Sequence, residues 1–163
     1  MSAYCRKTIC ALLKKHGFRA VPAQAIPLKV AAARAGLGRY GKNALIVTEG
    51  FGSWVMFECT VTDAPLEHED RPLEDAGCRG RDLCIKAWPT GALYAPYKVD
   101  RARCITEWLW GTYASPELRE LQGDRLFGCG ECLMVCPRSR RVPKRSGRVP
   151  LEDVSDNPEL IPL

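Results

Sequence analysis

Apolar positions recur at helical spacing near the start of the chain. Residues 3–16 carry Ile9 and Leu12 on one side, and Gly17 follows as a stop signal. This pattern predicts a helix over residues 3–16. An alanine-rich stretch predicts a second, shorter helix over residues 28–35, again ended by a glycine.

Two stretches rich in Val, Ile, Trp, Phe and Thr predict strands over residues 44–48 and 53–62. Between them, residues 49–52 contain two glycines, which predicts that the strands form a hairpin. The alternation within the second strand predicts that Cys59 lies in the core with its same-face neighbours Val55, Phe57 and Val61.

A glycine-rich segment over residues 34–43 joins the second helix to the first strand. Its backbone N–H groups could approach an anion or a flat cofactor. It is not a Walker loop, because Gly41-Lys42-Asn43 lacks the following Ser or Thr, and no strand precedes it as in a dinucleotide fingerprint. The composition favours a tight turn over a binding loop.

The totals describe one domain, or one small domain with an attachment: 163 residues, nine cysteines and a net charge of +5. No secretory signal or membrane-length apolar run is visible. We therefore expect a reducing cytoplasm, where thiols are free to hold metal. The basic residues concentrate near the end, at Arg138, Arg140, Arg141, Lys144, Arg145 and Arg148.

The strongest chemical signal is the run from Cys129 through Cys132 to Cys136, which has C-x2-C-x3-C spacing and is closed by Pro137. Bacterial iron–sulfur runs end in this way, and the last thiol commonly serves a neighbouring cluster. Zinc or three buried cysteines are the alternatives. Related thiols upstream favour iron–sulfur; they are Cys78, Cys84 and Cys104.

These motifs occur in a familiar order. Residues 26–29 run into the glycine-rich segment 34–43, and the predicted hairpin and two cysteine runs follow. Over roughly residues 18–142 the chain resembles the epoxyqueuosine reductase family and its double-4Fe–4S relatives, and also the carboxy-terminal part of corrinoid reductive dehalogenases. The resemblance implies a cobalamin-binding α/β portion joined to a ferredoxin-like module, whose two clusters feed electrons to a corrinoid for reduction of a modified tRNA base.

We therefore expect an α+β chain in three parts. Residues 1–75 would be a truncated α/β part resembling the cobalamin-binding portion. Residues 76–142 would be a ferredoxin-like, mainly helical double iron–sulfur module, and residues 143–163 an extended tail, first basic and then acidic.

The chain departs from the family in three respects. Little of the longer amino-terminal region of cobalamin-binding members can fit before residue 18. The Asp that tRNA-modifying members use as a proton donor has no counterpart between Ala20 and Lys29. The family run C-x2-C-x2-C-x3-C-P-T-x-A is incomplete, because Arg81 and Trp88 stand at two of its cysteine positions.

The resemblance also implies how the six thiols divide. One cluster takes Cys78, Cys84 and Cys136, with Arg81 at its vacant place, and the other takes Cys104, Cys129 and Cys132, with Trp88 at its vacant place. Three readings stay open: two 4Fe–4S clusters that each have one iron without a protein thiolate, 3Fe–4S clusters, or loss of one or both clusters.

Three functions are compatible with these features. The first is an iron–sulfur electron-transfer protein, or the electron-carrying subunit of a larger redox enzyme, with a redox protein as partner. The second is a corrinoid-dependent reductase that acts on tRNA or on a small organic substrate. The third is a cluster-depleted interaction module in which aromatic side chains fill the former cluster region. Catalytic residues are not identified by the sequence.

Overall fold

The computed structural model describes residues 2–23, 25–67, 70–110 and 128–139, together with positions 116, 120 and 121. The helices in this part are α1 (Ser2–Lys15), α2 (Leu28–Arg34), α3 (Leu83–Lys86), α4 (Ile105–Trp110) and α5 (Glu131–Met134). The strands are β1 (Ala20–Pro22), β2 (Arg39–Tyr40), β3 (Ile46–Val47), β4 (Thr60–Thr62), β5 (Leu93–Ala95) and β6 (Lys98–Val99). Within the described ranges, no helix is long and apolar enough to cross a bilayer.

The amino-terminal part consists of α1 packed on an antiparallel pair, β1–β4. Val21 lies opposite Val61 in this pair, and both side chains are exposed. On α1, Cys10 is buried whereas Ile9 and Leu12 are exposed. The two helices predicted from the sequence are confirmed, because α1 and α2 occupy the expected ranges within one or two residues.

The glycine-rich segment is a turn that leads from α2 into the antiparallel pair β2–β3. Tyr40 in β2 extends this pairing, because its N–H donates to the Glu74 carbonyl and its own carbonyl accepts from the Ala76 N–H. Gly38 lies so close to β3 that an added Cβ would meet the Val47 carbonyl oxygen at 2.6 Å. The segment that leads towards Cys78 is thereby fixed against β2.

The predicted hairpin is wrong apart from one bridge. Thr48 and Gly52 exchange backbone hydrogen bonds, but β3 pairs with β2, β4 pairs with β1, and residues 53–59 form no strand. The burial predicted for Cys59 is also wrong, because Cys59 is half-buried and its neighbour Val61 is exposed. The alternation of side chains was present, but the expected partner strand was not.

The second half contains short elements linked by turns. The β5–β6 hairpin precedes a 3-10 turn at Arg101–Arg103, which Asp100 caps by accepting from the Ala102 N–H, and α4 follows. Ala92, Leu93 and Ile105 are almost completely buried. Helices α3 and α5 pack against each other and bring the two cysteine runs together. The described chain is thus a mixture of helices and antiparallel strands, as expected for α+β.

The two halves meet closely where Gly52 faces Ser139. An added Cβ at Gly52 would lie 2.8 Å from the Arg138 carbonyl oxygen and from the Ser139 Cα. The Ser53 N–H donates to the Ser139 hydroxyl at 3.2 Å, and Ser139 is buried. This contact anchors the segment that directly follows Cys136 and Pro137.

We predict that Gly52→Ala destabilises the fold more than Gly50→Ala does. Both glycines have a positive φ, so each alanine costs about 1–2 kcal/mol of backbone strain. Only Gly52 faces backbone atoms, whereas nothing lies within 4 Å of a Cβ at Gly50. Overpacking should add about 1–3 kcal/mol for Gly52→Ala. Urea titrations followed by circular dichroism check this, and equal losses in the two variants would refute the close contact.

Candidate metal centre

Three thiols line a small cavity, here called the first cavity, of about 50 Å³. They belong to Cys78, Cys84 and Cys136, and the side chains of Arg81 and Lys42 also line it. All three thiols are half-buried. The sequence places them up to 58 positions apart, so the fold rather than local spacing brings them together.

Each thiol of the first cavity comes from a different local structure. Cys78 lies in the loop that follows Glu74–Ala76, the segment paired with Tyr40 of β2. Its carbonyl accepts a hydrogen bond from the Arg81 N–H at 3.2 Å. Cys84 lies on α3, and Cys136 follows α5, where its N–H donates to the Leu133 carbonyl at 3.2 Å. The packing of α3 on α5 therefore sets the separation of the last two thiols.

Three further thiols line a larger cavity, here called the second cavity, of about 880 Å³. They belong to Cys104, Cys129 and Cys132, and all three are buried. Trp88 lines this cavity too.

The backbone around the second cavity is tightly turned. Cys129 lies between Gly128 and Gly130, whose positive φ values of 59° and 68° suit glycine and disfavour other residues. Cys132 lies on α5, three positions after Cys129, and Cys104 directly precedes α4. The chain can thus present Cys129 and Cys132 to one cavity, whereas Cys136, which follows α5, lines the other.

Burial controls the protonation of these thiols. The pKa of Cys132 is raised to about 12, mainly by desolvation and to a smaller extent by the neighbouring thiols of Cys129, Cys84 and Cys104. Desolvation also raises the pKa of Cys84, with smaller additions from Cys78 and Cys136. Without a cation the thiolates of Cys84 and Cys132 are therefore disfavoured, and a positively charged metal centre would supply the missing compensation.

Asn43 lines both cavities and is buried. Its side chain hydrogen-bonds the Cys132 sulfur, which acts to lower the pKa of that thiol, and its Oδ1 accepts from the Leu45 N–H at 3.3 Å. The next residue, Ala44, has a φ of 58°, an unfavourable value for alanine. The Lys29 ammonium donates to the Ala44 carbonyl at 3.0 Å and helps to hold this turn.

Lys42 adds a positive charge beside the first cavity. Its Nζ lies 2.7 Å from Asp82 Oδ1, and its side chain is mostly buried. The hydrogen bond to Asp82 raises the pKa of Lys42, and the thiols of Cys78 and Cys84 raise it further. Sequence reasoning treated Lys42 and Asn43 as parts of a turn. Their position in the glycine-rich segment, directly after Gly41, was the available signal for a binding role.

The structure groups the six predicted thiols three and three, in the sets that the resemblance implied. Arg81 lines the first cavity and Trp88 the second, also as implied. Cys10 and Cys59 line neither cavity. Arg138 lines the first cavity, and the rest of the basic cluster lies outside the described residues.

Both cavities suit an iron–sulfur cluster by their donor chemistry. Thiolates are the ligands of such clusters, and three sulfurs surround each space. In the described ranges, no three His, Cys, Asp or Glu side chains are arranged to hold a single metal ion. That the six thiols are the ligands stays a prediction.

A family comparison matches the same part of the chain. Residues 77–139 match the 4Fe-4S double cluster binding domain. This range contains all six thiols of the two cavities. The part of the chain that contains the six thiols is therefore similar to a double 4Fe–4S cluster-binding domain.

Curated relatives extend the similarity towards the amino terminus. The epoxyqueuosine reductase of Pseudomonas aeruginosa is 38% identical over 152 residues, which are 90% of this chain and 42% of the relative. The epoxyqueuosine reductase of Shewanella oneidensis is 40% identical over 115 residues, 69% of this chain and 28% of the relative. The chain thus spans less than half the length of these relatives.

Solved structures show the same likeness. The epoxyqueuosine reductase of Bacillus subtilis superposes with a TM-score of 0.73 at 32% identity, over 85% of this chain and 38% of that protein. An epoxyqueuosine reductase bound to an epoxyqueuosine-modified tRNA stem loop superposes with a TM-score of 0.72 at 32% identity, over 85% and 39%. The resemblance inferred from the sequence motifs is confirmed.

We predict that Cys132 in iron-free folded protein reacts with iodoacetamide only at high pH. Because its pKa is raised, the reactive thiolate is scarce near neutral pH, so the rate should still rise above about pH 10. In concentrated urea the same rate should level off near pH 9, where an ordinary thiol is ionised. Peptide mass spectrometry follows the residue, and identical pH profiles in both states would contradict the burial described here.

Proposed function

Because part of the chain is similar to a double 4Fe–4S cluster-binding domain and the chain resembles epoxyqueuosine reductases, we propose that it is an iron–sulfur electron-transfer protein or the electron-carrying subunit of a larger redox enzyme. The observation that carries this proposal is the division of six thiols between two adjacent cavities that share Asn43. Single electrons would enter at one cavity and leave from the other.

The proposed ligand sets follow the cavities. Cys78, Cys84 and Cys136 hold one cluster, and Cys104, Cys129 and Cys132 hold the other. We favour 4Fe–4S over 3Fe–4S clusters, because the matched domain is of the 4Fe–4S type. When bound, each cluster supplies a centre that takes up and releases one electron.

The remaining residues would control where charge resides. Lys42 lies beside the thiols of Cys78 and Cys84 and offsets their negative charge. Asn43 donates towards Cys132, and hydrogen bonds to cluster sulfurs raise reduction potentials. Cys104, Cys129 and Cys132 are buried, whereas the three thiols of the first site are half-buried. The first site would therefore differ from the second in both charge and burial.

The module boundaries are part of the proposal. Residues 76–142 would form the ferredoxin-like cluster module, residues 1–75 the truncated α/β part, and residues 143–163, which lie outside the described residues, an extended tail. Leu83 on α3 and Met134 on α5 are exposed beside the thiols and offer apolar contact to a redox partner. The eight described cysteines are free thiols, as expected for a protein of the reducing cytoplasm.

We predict that anaerobically produced protein contains about six to eight irons per chain, with matching acid-labile sulfide. Cys136→Ala and Cys78→Ala should both lose the same cluster, and Cys129→Ala and Cys104→Ala should both lose the other. Each variant should keep about half the iron, and its EPR spectrum identifies the surviving cluster. Cys59→Ala is the matched control and should keep all the iron, because Cys59 lines neither cavity.

Two results would reject this proposal. Fewer than three irons per chain in the unmodified protein would favour a cluster-depleted interaction module. If Cys136→Ala instead removed the same cluster as Cys129→Ala, the thiols would divide by sequence proximity, and the assignment by cavity would be wrong.

A corrinoid-dependent reductase is the second candidate, and the shape of the second cavity favours it. Trp54, Val55, Met56 and Tyr97 form an apolar wall beside the buried thiols. Volumes of 300–1,000 Å³ are typical of cofactor and ligand pockets, and this cavity has about 880 Å³. The substrate would then be tRNA or a small organic molecule.

We predict that cobalamin, if it binds, changes its visible absorption spectrum when mixed with the cluster-loaded protein. Trp54→Ala should weaken the change, because Trp54 is a large part of the apolar wall, and Phe51→Ala is a control at an exposed aromatic residue outside the cavity. Absence of a spectral change at high micromolar cobalamin removes this candidate. Steep salt dependence of tRNA binding would be expected if phosphates are contacted.

A further inference from the structure

The indole N–H of Trp88 is buried and lacks an acceptor. Its Nε1 has almost no solvent exposure, and within the described part of the chain no partner lies at hydrogen-bond distance. Buried donors in proteins are nearly always hydrogen-bonded, so an unpaired one calls for an explanation. Trp88 is among the residues that line the second cavity, so a group bound there is a candidate for the missing acceptor.

Ser53 gives an independent indication on the same cavity. Ser53 is only 5% exposed, and its side-chain hydroxyl also lacks a hydrogen-bond partner among the described residues. Its backbone N–H is already used, because it donates to the Ser139 hydroxyl. The second cavity is thus lined by two residues, each with a buried donor group that has no hydrogen-bond partner among the described residues.

The position of Trp88 shows what kind of group is expected. In a C-x2-C-x2-C-x3-C-P run the last cysteine crosses to the neighbouring cluster, and Trp88 occupies that position before Pro89. An indole N–H can donate a hydrogen bond but offers no lone pair to a metal. A 4Fe–4S cluster held by Cys104, Cys129 and Cys132 would therefore have one iron without a fourth thiolate.

We propose that this iron is a binding site for a small anion, and that the Trp88 indole N–H donates a hydrogen bond to the anion's acceptor atom. The inference rests on the proposed function, since it needs the second cluster. The ligand class is a small anion with one metal-binding atom and a further lone pair, such as cyanide or a carboxylate. Binding replaces one ligand of the iron by another and transfers no electron.

The second site suits such a ligand better than the first. Its cavity has about 880 Å³, against about 50 Å³ for the first cavity, so a bound anion has room beside the cluster. Arg81, which stands at the vacant position of the first site, is an exposed residue. The buried donor without a partner is therefore found at the vacant position of the second site, in the side chain of Trp88.

The test uses ¹³C-labelled cyanide as probe, added anaerobically to the reduced, cluster-loaded full chain. Arg81→Cys should give the first site a fourth thiolate and leave the second site open. Trp88→Cys should give the second site a fourth thiolate and leave the first site open. We expect ¹³C hyperfine coupling to the cluster in the unmodified protein and in Arg81→Cys, and its loss in Trp88→Cys. Trp88→Phe keeps a ring without the N–H and should bind cyanide about fivefold more weakly.

Several outcomes would overturn the inference. Coupling that persists in Trp88→Cys but is lost in Arg81→Cys would place the ligand at the first site. Full iron content without any cyanide coupling, or the oxidised-state EPR signal of a three-iron cluster in the second site, would exclude an open iron there. Unchanged cyanide affinity in Trp88→Phe would exclude the hydrogen bond. A failure of the proposed function is distinguishable, because it would appear as fewer than three irons per chain.

Discussion

The burial of thiols without a compensating charge is the constraint on which the structure depends. Cys132 lies on a short helix, surrounded by other sulfurs, and burial raises the pKa of its thiol to about 12. Burial disfavours the ionised form of such a thiol, and neighbouring thiolates would repel one another. The arrangement becomes favourable when iron supplies the positive charge, and metal binding is then part of the folding free energy.

The rest of the described fold supports this cluster of sulfurs. The turn that contains Asn43 borders both cavities. Two hydrogen bonds hold it: Lys29 Nζ donates to the Ala44 carbonyl, and the Leu45 N–H donates to Asn43 Oδ1. The close contact of Gly52 with Ser139 fixes the segment after Cys136. The amino-terminal part therefore acts as a wall of the metal centre, although Cys10 and Cys59, whose side chains the structure describes, line neither cavity.

Sequence patterns predicted the local helices and the chemistry better than the strand pairing. The α1 and α2 ranges follow from apolar spacing and glycine stops, which depend on neighbouring residues only. The hairpin prediction failed because β3 pairs with its near neighbour β2, whereas β4 pairs with the distant β1. Local alternation of side chains does not indicate which strand is the partner. The cysteine spacing indicated iron–sulfur chemistry, whereas the division of the thiols came from the resemblance.

Other features of the site were beyond sequence reasoning. Asn43 was one polar residue in a glycine-rich turn, and only the folded chain shows that it contacts Cys132 and borders both cavities. The unpaired indole N–H of Trp88 is equally invisible in the sequence, because a lost cysteine suggests a plugged site as readily as an open one. Burial and hydrogen-bond partners are properties of the packed structure.

The most direct test of the central claim is a crystal structure of anaerobically prepared protein with anomalous diffraction measured at the iron edge. The account predicts two separate iron peaks, one enclosed by Cys78, Cys84 and Cys136 and the other by Cys104, Cys129 and Cys132. A single-ion zinc peak, or one iron site shared by Cys129, Cys132 and Cys136, would contradict it.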